Sequence, residues 1–310
     1  MRRTGHFTHT WIYLIPILLG LLAAFLLNVS RPGRVVEGCP QECATAVDRR
    51  DGPLRILSLN MLHGFPRFEH LQTRLDLIAS EIKRLDADVV LLQETPWNRE
   101  IGSGAEYLAR QLGYNYLYFR ANGNRHVIFF EEGETILSRF PLKEPVFAVL
   151  QPKPGFFENR VVLGATADTP WGEIAFFDTH LSGENPKTGR GEVESLKTFV
   201  EEYTGDLAVV AGDFNAREDS PYMVSLAGEW IDAYRTLDPD EPGLTCCNDD
   251  LTTGPGEPFR ERVDYVFLVP KLGEHVKMVG ARRVFDQPFS TNGGWQWASD
   301  HAGLLVEVEP

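Results

Sequence analysis

The sequence contains little cysteine, with only four residues among 310. Cys39 and Cys43 form a C-x3-C pair in a polar stretch, and Cys246 and Cys247 are adjacent. Zinc modules pair one C-x2-C motif with a second, and this chain has no such repeat, so a zinc module is not expected. The sequence leaves open whether Cys39 and Cys43 form a small disulfide or are unrelated thiols in a linker. For Cys246 and Cys247 it favours loop packing over redox chemistry.

Basic residues are scarce relative to acidic ones. The chain holds 30 Lys and Arg against 44 Asp and Glu, for a formal net charge of −14. The first fifty residues hold six basic and three acidic residues, which leaves 24 basic and 41 acidic residues in 51–310, a charge of −17 there. A body this acidic repels a polyanion at long range. This weighs against a general nucleic-acid-binding protein, although a nuclease with a local basic groove is not excluded.

Long apolar runs are limited to one segment. Residues 11–27, WIYLIPILLGLLAAFLL, carry no charge and follow a short basic N-terminus over 1–10. As a helix this run would span about 25 Å, slightly less than a hydrocarbon core, but it is longer than the apolar core of most signal peptides. We therefore expect a transmembrane or signal-anchor helix over 11–28 rather than a cleaved signal, followed by a flexible tether over 29–52. The remaining body is expected to be anchored outside the cytoplasm, or secreted if the segment is removed.

From Leu54 onward, strand and helix patterns alternate. Buried strands are predicted at 54–60, 88–93, 126–130, 134–138, 160–167, 173–179, 207–212, 262–268 and 303–308, and helices at 70–85 and 190–203. Several strands follow one another directly, which favours a layered sheet-on-sheet core with flanking helices over a strict βαβ alternation. This organisation predicts one domain over 53–310. The Pro-, Gly-, Asp- and Thr-rich segment 236–260 predicts a long loop.

Polar residues stand at the ends of several apolar strands. A strand end is where a buried sheet meets solvent, so such side chains can converge on one cleft. Phosphoester hydrolysis needs oxygen ligands for a cation, a base for the attacking water, and neutralisation of developing charge. Each residue taken alone is more often structural than functional, but their joint occurrence favours a catalytic site. The strand-end residues are Asn60, Glu94, His180, Asp213, Asn215, Asp264, Asp300 and His301.

The sequence blocks around these residues resemble those of the endonuclease/exonuclease/phosphatase superfamily of DNase I-like proteins. The resemblance covers about 54–309 and is carried by ILSLNMLHG, DVVLLQET, ETILSRFPL, FFDTHLSG, VVAGDFNA, RVDYVFL and SDHAGLLVEV. It implies a four-layer α/β/β/α sandwich of two packed, mostly antiparallel sheets, with the site at one end. It also implies a divalent-metal-dependent phosphoester hydrolase that uses Mg²⁺, with Mn²⁺ as a possible substitute.

The resemblance implies a role for each matching position. Glu94 resembles the main Mg²⁺ ligand of the family, and Asn60 a residue that helps to organise the metal and the phosphate. His180, in the T-H-L block, resembles a histidine on the phosphate or leaving-group side. Asp213 and Asn215, in the GDFN block, resemble the residues that orient the nucleophile and stabilise the transition state.

The resemblance also implies roles for three residues that follow Asn215 in the sequence, and for Arg160, which lies between Glu94 and His180. Asp300 and His301 resemble a pair in which the Asp orients a general-base or phosphate-binding His. Asp264 resembles a position that helps to order the site. Arg160 is a candidate for a substrate contact or for ordering the site.

The same blocks bear on the substrate. Lipid and inositol phosphoesterases and DNase I-like enzymes keep the T-H-L histidine, whereas enzymes acting at abasic DNA sites carry an Asn-containing block there. RVDYVFL replaces the W-C-D-R block of inositol phosphatases, which argues against polyphosphoinositides. With the apolar segment, these features favour lipid headgroups or small phosphoesters, hydrolysed by in-line attack of water. A tethered or secreted nuclease and an inactive membrane-linked binding module stay as alternatives, and no protein partner is implied.

Overall fold

The computed structural model describes residues 10–45, 52–183, 185–203, 207–270 and 276–309. Its helices are α1 Thr10–Asn28, α2 Leu71–Leu85, α3 Gly104–Leu112, α4 Pro186–Glu201, α5 Pro221–Ala227 and α6 Ala233–Leu237. Its strands are β1 Glu37–Cys39, β2 Leu54–Asn60, β3 Val89–Asn98, β4 Gly102–Ser103, β5 Asn115–Asn124, β6 Phe130–Ser138, β7 Leu142–Val149, β8 Val161–Thr169, β9 Gly172–His180, β10 Leu207–Asp213, β11 Ile231–Asp232, β12 Asp264–Pro270, β13 Lys277–Val284, β14 Phe289–Thr291, β15 Gly294–Gln296 and β16 Gly303–Glu309.

Two mixed sheets lie at the centre of the fold. The first runs in the order β1-β5-β6-β3-β2-β16-β13, with β4 paired to β3, and the second in the order β11-β12-β10-β9-β8-β7. The pairs β2/β3 and β9/β10 are parallel, and the other pairs between these strands are antiparallel. Parallel neighbours end at the same edge of a sheet, so the residues that close these four strands can share one site.

The two sheets pack face to face, and helices cover their outer faces. Strand side chains alternate between faces, so each sheet contributes one apolar face to the interior, where Ile56 and Phe119 of the first sheet join Val209 of the second. The apolar faces of α2 and α3 pack on the outside of the first sheet. Those of α4 and α5 cover the second. The predicted α/β class with two packed sheets and flanking helices is confirmed.

Several predicted elements differ from those observed. α2 begins one residue later than predicted, and α4 begins at Pro186 rather than at 190 because Asn185 accepts a hydrogen bond from the Lys187 N–H and caps it. The strand predicted over 126–130 is wrong, since residues 125–129 form the turn before β6. The strands β5, β7 and β13 were not predicted. The chain between α6 and β12 contains no helix or strand, in agreement with the long loop expected there.

The segment over 29–52 is not a flexible tether throughout. β1 pairs antiparallel with β5 as an edge strand, in the register Glu37 to Tyr118. A disulfide joins Cys39 and Cys43, which settles the pairing that the sequence left open. The Thr45 N–H donates to the carbonyl of Gly113. Residues up to 45 therefore belong to the folded domain. The sequence of a short polar segment does not predict this, because its hydrogen-bond partners come from the edge of the sheet. Residues 46–51 lie outside the described residues.

The helix α1 precedes this segment and extends away from the sandwich. Residues 14–27 are all exposed, including Leu18, Leu21 and Leu22. Among the residues that the structure describes, no helix has the length and apolarity needed to cross a membrane. The transmembrane or signal-anchor helix over 11–28 stays a prediction.

Candidate active site

The strand register brings the predicted residues to one end of the sandwich. On the second sheet Asp213 stands opposite both His180 of β9 and Asp264 of β12, so three neighbouring strands present side chains next to one another. On the first sheet Asn60 closes β2 opposite Gln93, and Glu94 follows directly. The packing of the two sheets thus brings these two groups face to face.

Asn60 links the two groups. Its Nδ2 donates to Glu94 Oε1 at 3.2 Å and to Asp213 Oδ2 at 3.0 Å. Its Oδ1 accepts from the Leu62 N–H at 3.1 Å, which fixes the amide in this orientation. Asn60 is 1 % exposed, so this one amide sets the separation of two carboxylates that would otherwise repel each other.

Glu94 leaves the regular strand to face the cleft. Its backbone adopts a left-handed conformation, φ 55°, at an irregularity of the β3/β6 pairing between Leu92 and Thr95. Glu94 Oε2 accepts from the His63 N–H at 3.0 Å and lies 3.5 Å from His63 Nε2. Burial alone would raise the pKa of Glu94, but the charge of His63 and the hydrogen bonds from the His63 N–H and the Asn60 amide outweigh it and lower the pKa to about 2. Glu94 is therefore a carboxylate at physiological pH.

The residue that orients His301 is Asp264 rather than Asp300. Asp264 Oδ2 lies 2.9 Å from His301 Nδ1, while His301 Nε2 points toward Asp213 Oδ2 at 3.8 Å. Burial would lower the pKa of His301, but the carboxylates of Asp264 and Asp213 outweigh it and raise the pKa well above its usual range. Burial and the nearby Asp264 charge raise the pKa of Asp213 to about 7. The prediction that the adjacent Asp300 orients this histidine is therefore wrong in geometry.

Asp300 instead faces the cleft. Its Oδ1 accepts from Ser299 Oγ at 3.2 Å. Burial raises the pKa of Asp300, and the His301 charge opposes this while Glu94 adds to it. Burial lowers the pKa of the Arg74 guanidinium, and the charges of Asp300 and Glu94 both oppose this. The guanidinium donates to the carbonyls of Met61 and Leu62 and so holds the loop after β2. Asp300 thus belongs to the Glu94 side of the site.

His180 and Asn215 form the other wall. Asn215 Nδ2 lies 2.9 Å from His180 Nε2 and donates to the Leu181 carbonyl at 3.0 Å. The Asn215 N–H donates to Asp213 Oδ1 at 2.7 Å, with Asn215 in a left-handed turn, φ 48°. Burial, reinforced by the Arg160 charge, lowers the pKa of His180 well below its usual range, so this ring is neutral. Arg160 therefore lies near His180 and forms an ion pair with Glu158 at 2.7 Å.

The donor atoms fit a hard divalent cation. Glu94 offers carboxylate oxygens, and 17 % of its side chain is exposed. Asp213, Asp264 and His301 also bring one ligand atom each to within 4.8 Å of one another. Oxygen-rich donor sets of this kind suit Mg²⁺ and Mn²⁺. In the set of Asp213, Asp264 and His301, the hydrogen bond between His301 and Asp264 already occupies two of the ligand atoms. Glu94 with Asp300 therefore leaves more ligand atoms available to a cation.

Three residues in or near the site, His63, Glu134 and Asp178, were not predicted from the sequence. His63 lies in the predicted ILSLNMLHG block, only three residues after Asn60, and this spacing could have identified it. Glu134 and Asp178 are buried close to each other between the sheets. Asp178 accepts from Gln93 Nε2 at 2.6 Å and from the Thr135 N–H at 3.1 Å, and burial raises its pKa to about 8. Asp178 lies inside the apolar strand β9, where the sequence pattern predicts core residues, and Glu134 lies in β6, whose glutamates suggest a solvent-exposed segment.

A cleft of about 430 Å³ lies on the His63 side of Glu94. Its walls are the loop after β2, which carries His63 and Phe65, and the loop of residues 247–252. Asp300 and Arg74 also line it. Two arginines and four acidic residues line the cleft, for a formal charge of −2. The arrangement combines ionised oxygen ligands, a carboxylate held beside a cationic histidine, and a neutral histidine with an amide, which are the groups needed for attack of water on a phosphoester.

Comparison with known proteins identifies a family for most of the chain. The model of the Endonuclease/Exonuclease/phosphatase family matches residues 57–301. A comparison with curated proteins finds no match.

Solved structures share the fold at low sequence identity. An endonuclease/exonuclease/phosphatase family protein from Leptotrichia buccalis is 19 % identical, with a TM-score of 0.63, covering 83 % of this chain and 100 % of that chain. One from Bacteroides thetaiotaomicron is 17 % identical, with a TM-score of 0.65, covering 83 % and 97 %. D. rerio TDP2 complexed with a single-strand DNA product is 19 % identical, with a TM-score of 0.65, covering 84 % and 99 %. The chain belongs to the endonuclease/exonuclease/phosphatase family, a superfamily of metal-dependent phosphoesterases.

Proposed function

We propose that this protein is a Mg²⁺-dependent, membrane-associated phosphoester hydrolase whose favoured substrates are lipid headgroups or small phosphoesters. The observation that supports it best is the Asn60 amide, which joins Glu94 to Asp213 through hydrogen bonds of 3.2 and 3.0 Å. This contact sets a cation ligand and a candidate base at a fixed separation. Preorganisation of this kind is the main source of catalysis in phosphoryl transfer.

Glu94, with Asp300 beside it, would hold the cation, and Asn60 would keep Glu94 in place. When bound, the cation neutralises charge on a phosphoryl oxygen. Asp213 Oδ2 accepts from Asn60 and lies 3.5 Å from His180 Nε2 and 3.8 Å from His301 Nε2. It is therefore placed to orient the attacking water and take its proton.

The two histidines have different tasks in this proposal. His301 is held by Asp264 and carries a proton, so it supplies positive charge to a phosphoryl oxygen. His180 is neutral, and with the Asn215 amide it can donate or accept a hydrogen bond without adding charge. Arg160 lies behind His180 as a further candidate for a substrate contact. In-line attack would then proceed with water on the Asp213 side of the phosphorus.

Several features support action at a membrane and outside the cytoplasm. Cys39 and Cys43 form a disulfide, and disulfides persist mainly in oxidising compartments. The exposed apolar side chains of α1 between 14 and 27 supply a candidate membrane attachment. We therefore propose attachment through residues 11–28, or secretion if this segment is removed.

Release of headgroup or phosphate from lipid phosphoesters in mixed micelles tests the substrate class. The full-length protein with Mg²⁺ is expected to release product from at least one lipid of a panel with choline, ethanolamine, glycerol and phosphate headgroups. If no lipid is turned over while a soluble phosphodiester is hydrolysed, the lipid part of the proposal is wrong and the hydrolase part stands.

A nuclease is the second candidate, because one structure with the same fold, D. rerio TDP2, is complexed with a single-strand DNA product. The residues that would attack a lipid phosphoester would serve equally well on DNA. The cleft charge of −2 disfavours a polyanion. An inactive binding module is less well supported, since the residues expected to act in catalysis are all present.

A further inference from the structure

The end of α1 is fixed to the catalytic domain. Asn124 Nδ2 donates to the carbonyl of Asn28 at 2.9 Å. The Arg31 N–H donates to the carbonyl of Gly123, and the Gly33 N–H donates to the carbonyl of Arg120 at 2.8 Å. With the β1/β5 pairing that follows, these bonds attach the chain along the whole edge of β5. The end of α1 is thereby held at a defined position relative to the domain, and so is any surface that α1 binds.

That position lies on the sheet that carries Glu94. Gly123 pairs with Glu131 on β6, and Glu131 pairs with Trp97 on β3, three residues after Glu94. Two strand spacings and three residues along a strand separate Gly123 from Glu94 by roughly 14 Å, and the end of α1 lies about one further strand spacing beyond Gly123. Side chains extend from this point toward the interior, since Ser30 Oγ donates to Asn122 Oδ1 at 3.4 Å and Asn122 Nδ2 donates to the buried Glu132.

A pocket of about 410 Å³ lies at this point, between the end of α1 and the β5–β6 turn, and we refer to it as the foot pocket. Four arginines and two glutamates line it, for a formal charge of +2 in a chain of −14. Arg120 and Arg125 pair with Glu131, and Arg125 also pairs with Glu37. The other two arginines, Arg31 and Arg34, are exposed and form no ion pair within the described residues.

Apolar side chains continue from the foot pocket toward the cleft. Phe129, in the β5–β6 turn, is 45 % exposed, and the Arg99 guanidinium stacks over its ring at 3.8 Å. Phe65, on the cleft wall, is 43 % exposed and stacks on Phe130 at 4.4 Å between ring centroids. Aromatic and basic residues beside an apolar helix are typical of the interface between a bilayer and water.

We propose that α1 and the foot pocket dock together on a bilayer that contains anionic phospholipid, and that this docking turns the cleft toward phosphoesters in the same leaflet. α1 is apolar around its whole circumference, which suits lipid on all sides better than a protein that would cover one face. Arg31 and Arg34 follow α1 directly, where headgroup phosphates would lie. The second part of this inference rests on the proposed function, whereas the docking itself does not.

Partitioning of the full-length protein from micelles into vesicles tests the docking. The ratio of binding to phosphatidylcholine vesicles with and without phosphatidylglycerol isolates the charge effect, because α1 contributes equally to both. Arg31→Gln with Arg34→Gln should lower this ratio by about 30-fold, as expected for two charges of about 1 kcal/mol each. The matched control, Lys277→Gln with Arg282→Gln, removes two exposed charges on β13 at the opposite edge of the same sheet and should leave the ratio unchanged.

The outcomes separate the docking from the proposed function. An equal ratio for both double variants overturns the docking, as does a wild-type ratio that does not fall when salt is raised. Concentration-dependent self-association without vesicle binding would assign α1 to a second copy of the chain and also overturn it. Preferential binding to anionic vesicles without lipid hydrolysis would leave the docking intact and remove the lipid substrate. All variants should hydrolyse a soluble phosphodiester at the wild-type rate.

Discussion

Asp264 Oδ2 lies 2.9 Å from His301 Nδ1, although the two residues are 37 positions apart in the sequence. Asp300, the immediate neighbour of His301, accepts a hydrogen bond from Ser299 and lines the cleft instead. The carboxylate that orients the histidine therefore comes from another strand. The two aspartates should give different defects when they are changed.

Asp264→Asn should reduce kcat by about 100-fold or more, because the amide can no longer hold the protonated ring of His301. Asp300→Asn should mainly raise the Mg²⁺ concentration needed for half-maximal activity, because Asp300 stands beside Glu94. Steady-state kinetics over a Mg²⁺ titration distinguishes the two variants. Equal effects on metal dependence would contradict the separate roles.

Asp213→Ala and His301→Ala should each abolish hydrolysis, with a loss of roughly 10³-fold or more, because they remove the candidate base and the cationic donor. Both variants should keep the wild-type circular dichroism spectrum. Activity on a soluble phosphodiester is the measurement. Retention of more than a few per cent in a folded variant would show that the assigned role is wrong.

EDTA should inactivate the protein, and Mg²⁺ or Mn²⁺ should restore activity. Glu94→Gln should weaken this restoration, because a neutral amide is a poorer ligand for a hard cation than a carboxylate. Glu309→Gln, a change of the same kind on an exposed side chain at the far end of β16, is the matched control. Activity that is indifferent to the chelator would contradict a metal site at Glu94.

Glu134→Gln should reduce the loss of stability at alkaline pH. Burial raises the pKa of Asp178 to about 8 and that of Glu134 well above its usual range. A carboxyl with a raised pKa in the folded state contributes stability that is complete below the pKa of the unfolded chain, near 4, and is lost as pH rises through about 8. The fall in Tm between pH 6 and pH 9 should therefore be smaller in the variant, by about 5 °C. An unchanged fall would contradict a proton held by this pair.

Much of the site could be predicted because strand ends are local features. Glu94, Asp213 and His180 each follow an apolar strand, and the parallel pairs then bring those ends together. The choice between Asp264 and Asp300 could not be made, because adjacency in sequence does not reveal which strands become neighbours. Likewise, the pairing of β1 with β5 depends on an edge that only the assembled sheet provides.

The strands that were not predicted have a related cause. β5, NYLYFRANGN, has only three alternating core residues, Leu117, Phe119 and Ala121, among aromatic, polar and charged ones, so its apolar face is short. Its burial depends on β1 and β6 on either side and on the second sheet below. Glu131, Glu132 and Glu134 similarly suggest a solvent-exposed segment, yet all three are buried in β6 beside arginines, asparagines and the site.

The most direct test of the proposed function compares two substrates for the full-length protein in mixed micelles with Mg²⁺. One is a lipid with a choline phosphodiester headgroup, and the other is double-stranded DNA, with Asp213→Ala as the blank for both. Turnover of the lipid that is absent in the blank is the predicted result. Cleavage of DNA without turnover of the lipid would contradict a membrane phosphoesterase and would identify the protein as a nuclease in spite of its acidic cleft.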